Sequence, residues 1–179
     1  MSTTAPKAKR MDLAFAALLS KDDEAILTAL TRIEQEGDAR AIRPLLTALM
    51  NTNEGRVQQR ITGLLHEVKA ANAAEELFSA LEDPTFANIR ATILGTFWNA
   101  GLDVRDHLDR FIRIALEGTA AECFECLTVV ENQEIWPEKA ARHALNQVCK
   151  ALPLEKDPYK SSMLTDLAAA LEYRLGTAE

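Results

Sequence analysis

Ala41-Ile42-Arg43-Pro44-Leu45-Leu46-Thr47-Ala48-Leu49 returns 32 residues later as Ala73-Ala74-Glu75-Glu76-Leu77-Phe78-Ser79-Ala80-Leu81. The segment that follows keeps the same offset: Val57 matches Ile89, Ile61 matches Ile93, Gly63 matches Gly95 and Leu65 matches Phe97. One period upstream, Ala25, Ala29 and Ile33 precede Val57, Ile61 and Leu65. Downstream the register loosens: Phe111, Ile112, Ala115 and Leu116 follow Leu77, Phe78, Ala80 and Leu81 by 34 or 35 residues. A period of this length marks a unit that cannot bury its apolar face alone and stacks on its neighbours to do so.

Each unit reads as two helices. Val57, Ile61, Leu64 and Leu65 fall at i, i+4, i+7 and i+8, which is one face of a helix. Composition agrees, since Ala and Leu supply 53 residues against 15 for Val and Ile, leaving little material for a sheet. The breaks carry helix punctuation. Asp83-Pro84 is an N-cap followed by proline at the first helical position. Ser20…Asp23 and Asp103…Asp106 pair a capping acceptor with a first-turn carboxylate. Thr119…Glu122 fits the capping box. Gly63 and Gly95, at matching places in second helices, are expected to admit a close neighbour. The expected fold is an all-α superhelix (solenoid) of ten helices in five antiparallel pairs: 11–19 with 22–36, 40–51 with 55–70, 73–82 with 85–100, 104–117 with 120–132, and 138–151 with 159–175. Residues 1–10 are polar and aperiodic and are expected to be disordered. The rest, 11–179, reads as a single domain whose final pair, 138–179, is a divergent cap.

Leu81-Glu82-Asp83-Pro84, followed by Ile89-Arg90-Ala91-Thr92-Ile93-Leu94-Gly95, resembles the second helix of the HEAT repeats, in particular the phycobilisome-lyase-type HEAT-like units. Ala41-Ile42-Arg43-Pro44-Leu45-Leu46 is similar to their proline-bearing first helix, and Val57-Gln58-Gln59-Arg60-Ile61 carries Gln58 where that family usually has arginine. The resemblance spans residues 22–130. It implies a right-handed superhelix whose second helices line a concave face that binds other proteins. It also implies that Arg90 joins a structural ladder with an acidic turn of a neighbouring repeat. A few relatives handle chromophores or nucleic acid.

The concave face is the main candidate site. With Val57, Ile61, Leu64 and Leu65 turned to the core, Arg56, Gln59 and Arg60 turn outward, and Asn88, Thr92 and Trp98 complete the expected partner-binding set. This surface mixes charges, amides and small residues. It lacks the continuous Lys/Arg stripe that a phosphate backbone demands. A net charge of −7 also argues against nucleic acid. Cys123-Phe124-Glu125-Cys126 is a CxxC, which His143 and Cys149 could complete as a four-ligand zinc set; the competing reading is cysteine as a small core residue on a helix. Asp103, Asp106, Asp109 and His107 form a second polar cluster that could bind a divalent cation or do acid–base work; the favoured reading is helix capping by Asp103 and Asp106 with an exposed histidine. Trp98 and Trp136 each read as core or capping residues, with a binding anchor as the competing reading.

The functional expectation is a non-enzymatic scaffold that docks a partner protein on the concave face, with no cofactor and no resident metal. The alternatives are a HEAT-like lyase, a ligand- or nucleic-acid-handling protein, or a metal protein built on Cys123, Cys126, His143 and Cys149. Three cysteines make no disulfide framework. The apolar run Leu13–Leu19 is too short and too closely flanked by charge for a signal peptide. No stretch approaches a membrane span, so a cytoplasmic location is expected.

Overall fold

The computed structural model describes residues 4–176, and among them the chain is all-helical, with ten α-helices and no strand. The helices are α1 Thr4–Ala17, α2 Asp23–Glu36, α3 Ile42–Asn51, α4 Gly55–His66, α5 Ala73–Leu81, α6 Arg90–Asn99, α7 Leu108–Glu117, α8 Ala120–Asn132, α9 Glu138–Ala151 and α10 Pro158–Gly176. Nine start within five residues of their expected positions, the largest offset being α6, expected from 85 and beginning at Arg90. The exception is α1, which opens at Thr4: residues 4–10, expected to be disordered, are helical, and residues 1–3 lie outside the described residues. Contacts divide the chain into two compact units, Met1–Ile89 and Arg90–Glu179.

In the first unit α1 packs on α2, α3 on α4, α2 on α4, and α3 on α5. Ile26, Ala29, Leu30 and Ile33 of α2 and Val57, Ile61, Leu64 and Leu65 of α4 are the buried faces. Arg43 fastens α3 to the end of α5. Its guanidinium donates to Asp83 at 2.8 Å and to the Ser79 carbonyl at 3.2 Å, and lies 5.7 Å from the centre of the Phe86 ring.

In the second unit α7 packs on α8 and α9 on α10, while α8 lies against both α6 and α10. The T-shaped pair Phe97–Phe111, with centroids 5.2 Å apart, sits in this core. Gly101, at φ 60°, ends α6 by letting the Leu102 N–H reach the Phe97 carbonyl at 3.0 Å, a six-to-one closure that favours glycine. The ends of α7 and α8 are completed from α10. Buried Lys160 donates to the carbonyls of Leu116 and Gly118 at 2.7 and 2.8 Å. Arg174 donates to the Glu131 carbonyl at 2.6 Å.

The two units repeat one another at about twice the sequence period. The Asp38-Ala39-Arg40 loop before α3 and the Asp103-Val104-Arg105 loop before α7 are 65 residues apart. In both, the aspartate accepts the backbone N–H two residues on and grips the arginine of its own motif. The N-caps Glu54 and Thr119 are also 65 apart, and the buried row Val57, Ile61, Leu64, Leu65 of α4 falls on buried Glu122, Cys126, Val129 and Val130 of α8.

Two expectations are corrected here. Ile89 was matched to Val57, but Val57 is a buried residue in the first turn of α4, whereas Ile89 is half-buried at the end of a 3₁₀ segment, Pro84–Ile89. Asp83 sets that geometry: its side chain accepts the Thr85 N–H and its carbonyl the Phe86 N–H, and Phe86 becomes the buried anchor. Gly63 and Gly95 are not equivalent either. A Cβ at Gly95 would stand 3.1 Å from the Glu125 carboxylate, while one at Gly63 meets nothing within 4 Å.

Candidate functional site

The second helices carry the candidate residues on their exposed sides. On α4, Arg56 and Gln59 are exposed and Arg60 is half-buried. Both arginines are engaged within the unit: Arg56 lies 3.7 Å from Glu24, the residue one period before it, and Arg60 bonds to Glu34. Asn88 is exposed in the 3₁₀ segment of the same unit. Thr92 and Trp98 belong to α6 in the other unit, and both are half-buried. The expected six-residue set is thus divided between two units, and its two cations face carboxylates of their own unit.

Arg90, at the start of α6, bonds to Glu122 of α8, one 32-residue period away. The bond matches the expected structural use of Arg90. Glu122 is buried and completes the capping box with Thr119, accepting the Thr119 N–H at 2.7 Å. Burial pushes its pKa up, but the Thr119 N–H and the Arg90 guanidinium outweigh that and hold it below the ordinary carboxylate value. One turn further along α8, Glu125 accepts the indole N–H of Trp98 at 2.8 Å, in the space the absent Gly95 side chain leaves. Trp136 is buried and donates to the Val130 carbonyl at 3.2 Å, a packing role.

Cys123 and Cys126 are core residues of α8, whereas Cys149 and His143 are exposed on α9. Burial raises the Cys123 thiol to about 11 and the Cys126 thiol well above its ordinary value, the reverse of what a reactive thiolate needs. His143 instead lines an apolar groove of ≈ 430 Å³ with Leu108, Ala140 and Ala144. Among the described residues no three His, Cys, Asp or Glu side chains gather as a metal set. Asp103 is held below its ordinary value by the Arg105 side chain and backbone N–H. His107, expected to be exposed, is half-buried at the start of α7.

Each unit has a cavity at the loop end of its second helices. One, of ≈ 400 Å³, is bounded by Ile33, Gly37, Asp38, Leu65, Val68 and Ala70. The other, of ≈ 410 Å³, is bounded by Trp98, Asp103, Val129, Gln133, Glu134 and Ile135. Asp38 and Asp103, Val68 and Gln133, and Ala70 and Ile135 are 65-residue counterparts, so these clefts are products of the repeat itself.

Sequence reasoning missed Phe124 and Glu125 as surface residues because it read them only as the interior of the CxxC. Counting 65 residues from α4 finds them, since Arg56, Gln59 and Arg60 fall on Ala121, Phe124 and Glu125. Among the described residues no helix is long and apolar enough to cross a membrane. Compared with protein-family models, with curated proteins and with solved structures, the chain finds no match in any of the three.

Proposed function

We propose that this chain is a HEAT-like interaction module: a cytoplasmic, non-enzymatic scaffold whose units are antiparallel helix pairs stacked as in an α-solenoid, and which holds a partner protein on the exposed side of its second helices. The observation that carries this reading is the period-spaced ion pair. Glu24 with Arg56, and Arg90 with Glu122, each join residues 32 apart on second helices that pack together. Pairs recurring at that spacing are what a stacked array produces when successive second helices share one register, with their outer sides turned to a partner. Three of the most ordered carboxylates serve caps and pairs: Glu122 with Thr119 and Arg90, Asp103 with Arg105, Asp83 with Arg43. The test is affinity capture from native lysate with quantitative mass spectrometry, wild type against the Arg56→Glu/Arg60→Glu double variant. Both arginines are solvent-accessible, with side-chain exposures of 73% and 38%. Their reversal should therefore cost no more than about 1 kcal/mol each while removing the partner. A double variant that folds and keeps every partner refutes the proposal for this surface.

A further inference from the structure

The outward positions of α4 and α8 correspond, yet they present different chemistry. Where α4 carries Arg56, Gln59 and Arg60, α8 carries Ala121, Phe124 and Glu125. Ala121, Phe124, Thr128 and Glu131 follow at i, i+3, i+7 and i+10, so they form one stripe, opposite the buried row Glu122, Cys126, Val129 and Val130. Phe124 stands at the middle of the stripe and is 52% exposed, an unusual place for a phenyl ring on a helix whose other large apolar side chains are buried. Trp98 borders the stripe from α6 through its bond to Glu125. Exposed Tyr159 and Tyr173 stand on α10, which also packs on α8.

Bases are few on α6, α8 and α10, and those present are engaged. No lysine or arginine occurs in α8. In α6 the single base, Arg90, is bonded to Glu122. In α10 Lys160 is buried under the end of α7, and Arg174 bonds the end of α8. Glu125, Glu131 and Asp166 form no ion pair among the described residues. The remaining bases of the unit are Arg105 in its loop, Arg110 and Arg113 on α7, which also packs on α8, Lys139, Arg142 and Lys150 on α9, and Lys156 in the turn before α10. An exposed phenyl ring on a helix without bases, flanked by carboxylates that form no ion pair among the described residues, complements a segment that is apolar on one side and cationic on the other.

Resting on the proposed interaction role, we infer that the α8 face of the second unit docks a basic amphipathic helix of a partner protein, with an apolar side chain over Phe124 and lysine or arginine beside Glu125 and Glu131. The α4 face, whose cations are already matched by Glu24 and Glu34, is not this site.

The test uses the full chain and three fluorescein-labelled 18-residue peptides read by anisotropy: an amphipathic Leu/Lys helix, the same pattern with Glu for Lys, and a Leu/Lys scramble of equal charge. The Leu/Lys helix should bind, and bind more weakly as salt rises. Phe124→Ala should weaken it at least about tenfold, and Glu125→Gln/Glu131→Gln by a similar factor. Arg56→Glu/Arg60→Glu should bind it no more weakly than wild type does. The inference is overturned if the Leu/Lys helix fails to bind, if the scramble or the Glu peptide binds as well, or if Phe124→Ala binds unchanged while melting like wild type. Should the peptide fail while lysate capture still depends on Arg56 and Arg60, only this inference falls and the broader role stands.

Discussion

Replacing Glu122 by alanine tests the central packing claim. The side chain is 9% exposed, accepts from the Thr119 N–H at 2.7 Å and binds the Arg90 guanidinium. Removing it opens the capping box, which costs about 1 kcal/mol. It also strands Arg90. Breaking a fully buried pair costs about 3–5 kcal/mol, but the Arg90 side chain is 29% exposed, so water recovers part of that and about 1–3 kcal/mol is the appropriate figure. The sum is about 2–4 kcal/mol, or a fall in Tm of about 5–15 °C for a chain of this size. Trp98 and Trp136 both lie in the second unit, so urea unfolding followed by intrinsic fluorescence reads the relevant half directly. A double-mutant cycle with Arg90→Met should return a coupling of at least about 1 kcal/mol. Acid supplies the sign. Glu122 is held below its ordinary 4.5 in the fold, so its charge contributes fully above that value and is lost as pH falls through the lower, folded one. The gap between wild type and Glu122→Gln should therefore be complete at neutral pH and close on acidification. A loss under about 1 kcal/mol for Glu122→Ala, or a coupling indistinguishable from zero, refutes the reasoning.

Asp83 titrates at about 2 rather than 3.8, chiefly because the Arg43 side chain and the Thr85 N–H favour its charged form. Wild type should thus exceed Asp83→Asn in urea midpoint above pH 3.8, with the difference vanishing as pH approaches 2. Gly63→Ala should stabilise by about 0.4–1 kcal/mol, because a Cβ there meets nothing and the helix gains propensity; a lower Tm would contradict the open environment. Of the three cysteines, only exposed Cys149 should react quickly with a thiol reagent in the native protein. Counting of labelled thiols by mass spectrometry checks this, and rapid labelling of Cys123 or Cys126 would contradict their burial.

The helices were legible because their apolar spacing, caps and prolines agree with one another, as at Val57–Leu65 and Thr119–Glu122. Local rules failed where one residue takes over another's task. Pattern matching put Ile89 in the place of Val57, but Asp83 tightens the chain into a 3₁₀ turn and Phe86 fills the core. The glycines looked alike, yet only Gly95 has Glu125 leaning over it. The α8 surface was hidden by a slip of one residue over two periods, which removed Phe124 and Glu125 from the comparison with Gln59 and Arg60. That Arg56 and Arg60 meet Glu24 and Glu34 depends on side-chain reach across neighbouring helices, which helix periodicity does not encode.

Lys160 and Arg174 bear on how the second unit matures during synthesis. The carbonyls they satisfy belong to Leu116, Gly118 and Glu131, more than forty residues earlier in the chain. While a ribosome still holds residue 160, those backbone oxygens can be served only by water, and α7 and α8 keep frayed ends. The unit reaches its final rigidity only after α10 has emerged, so nascent chains stalled before that point should be cut by protease at the α7–α8 turn.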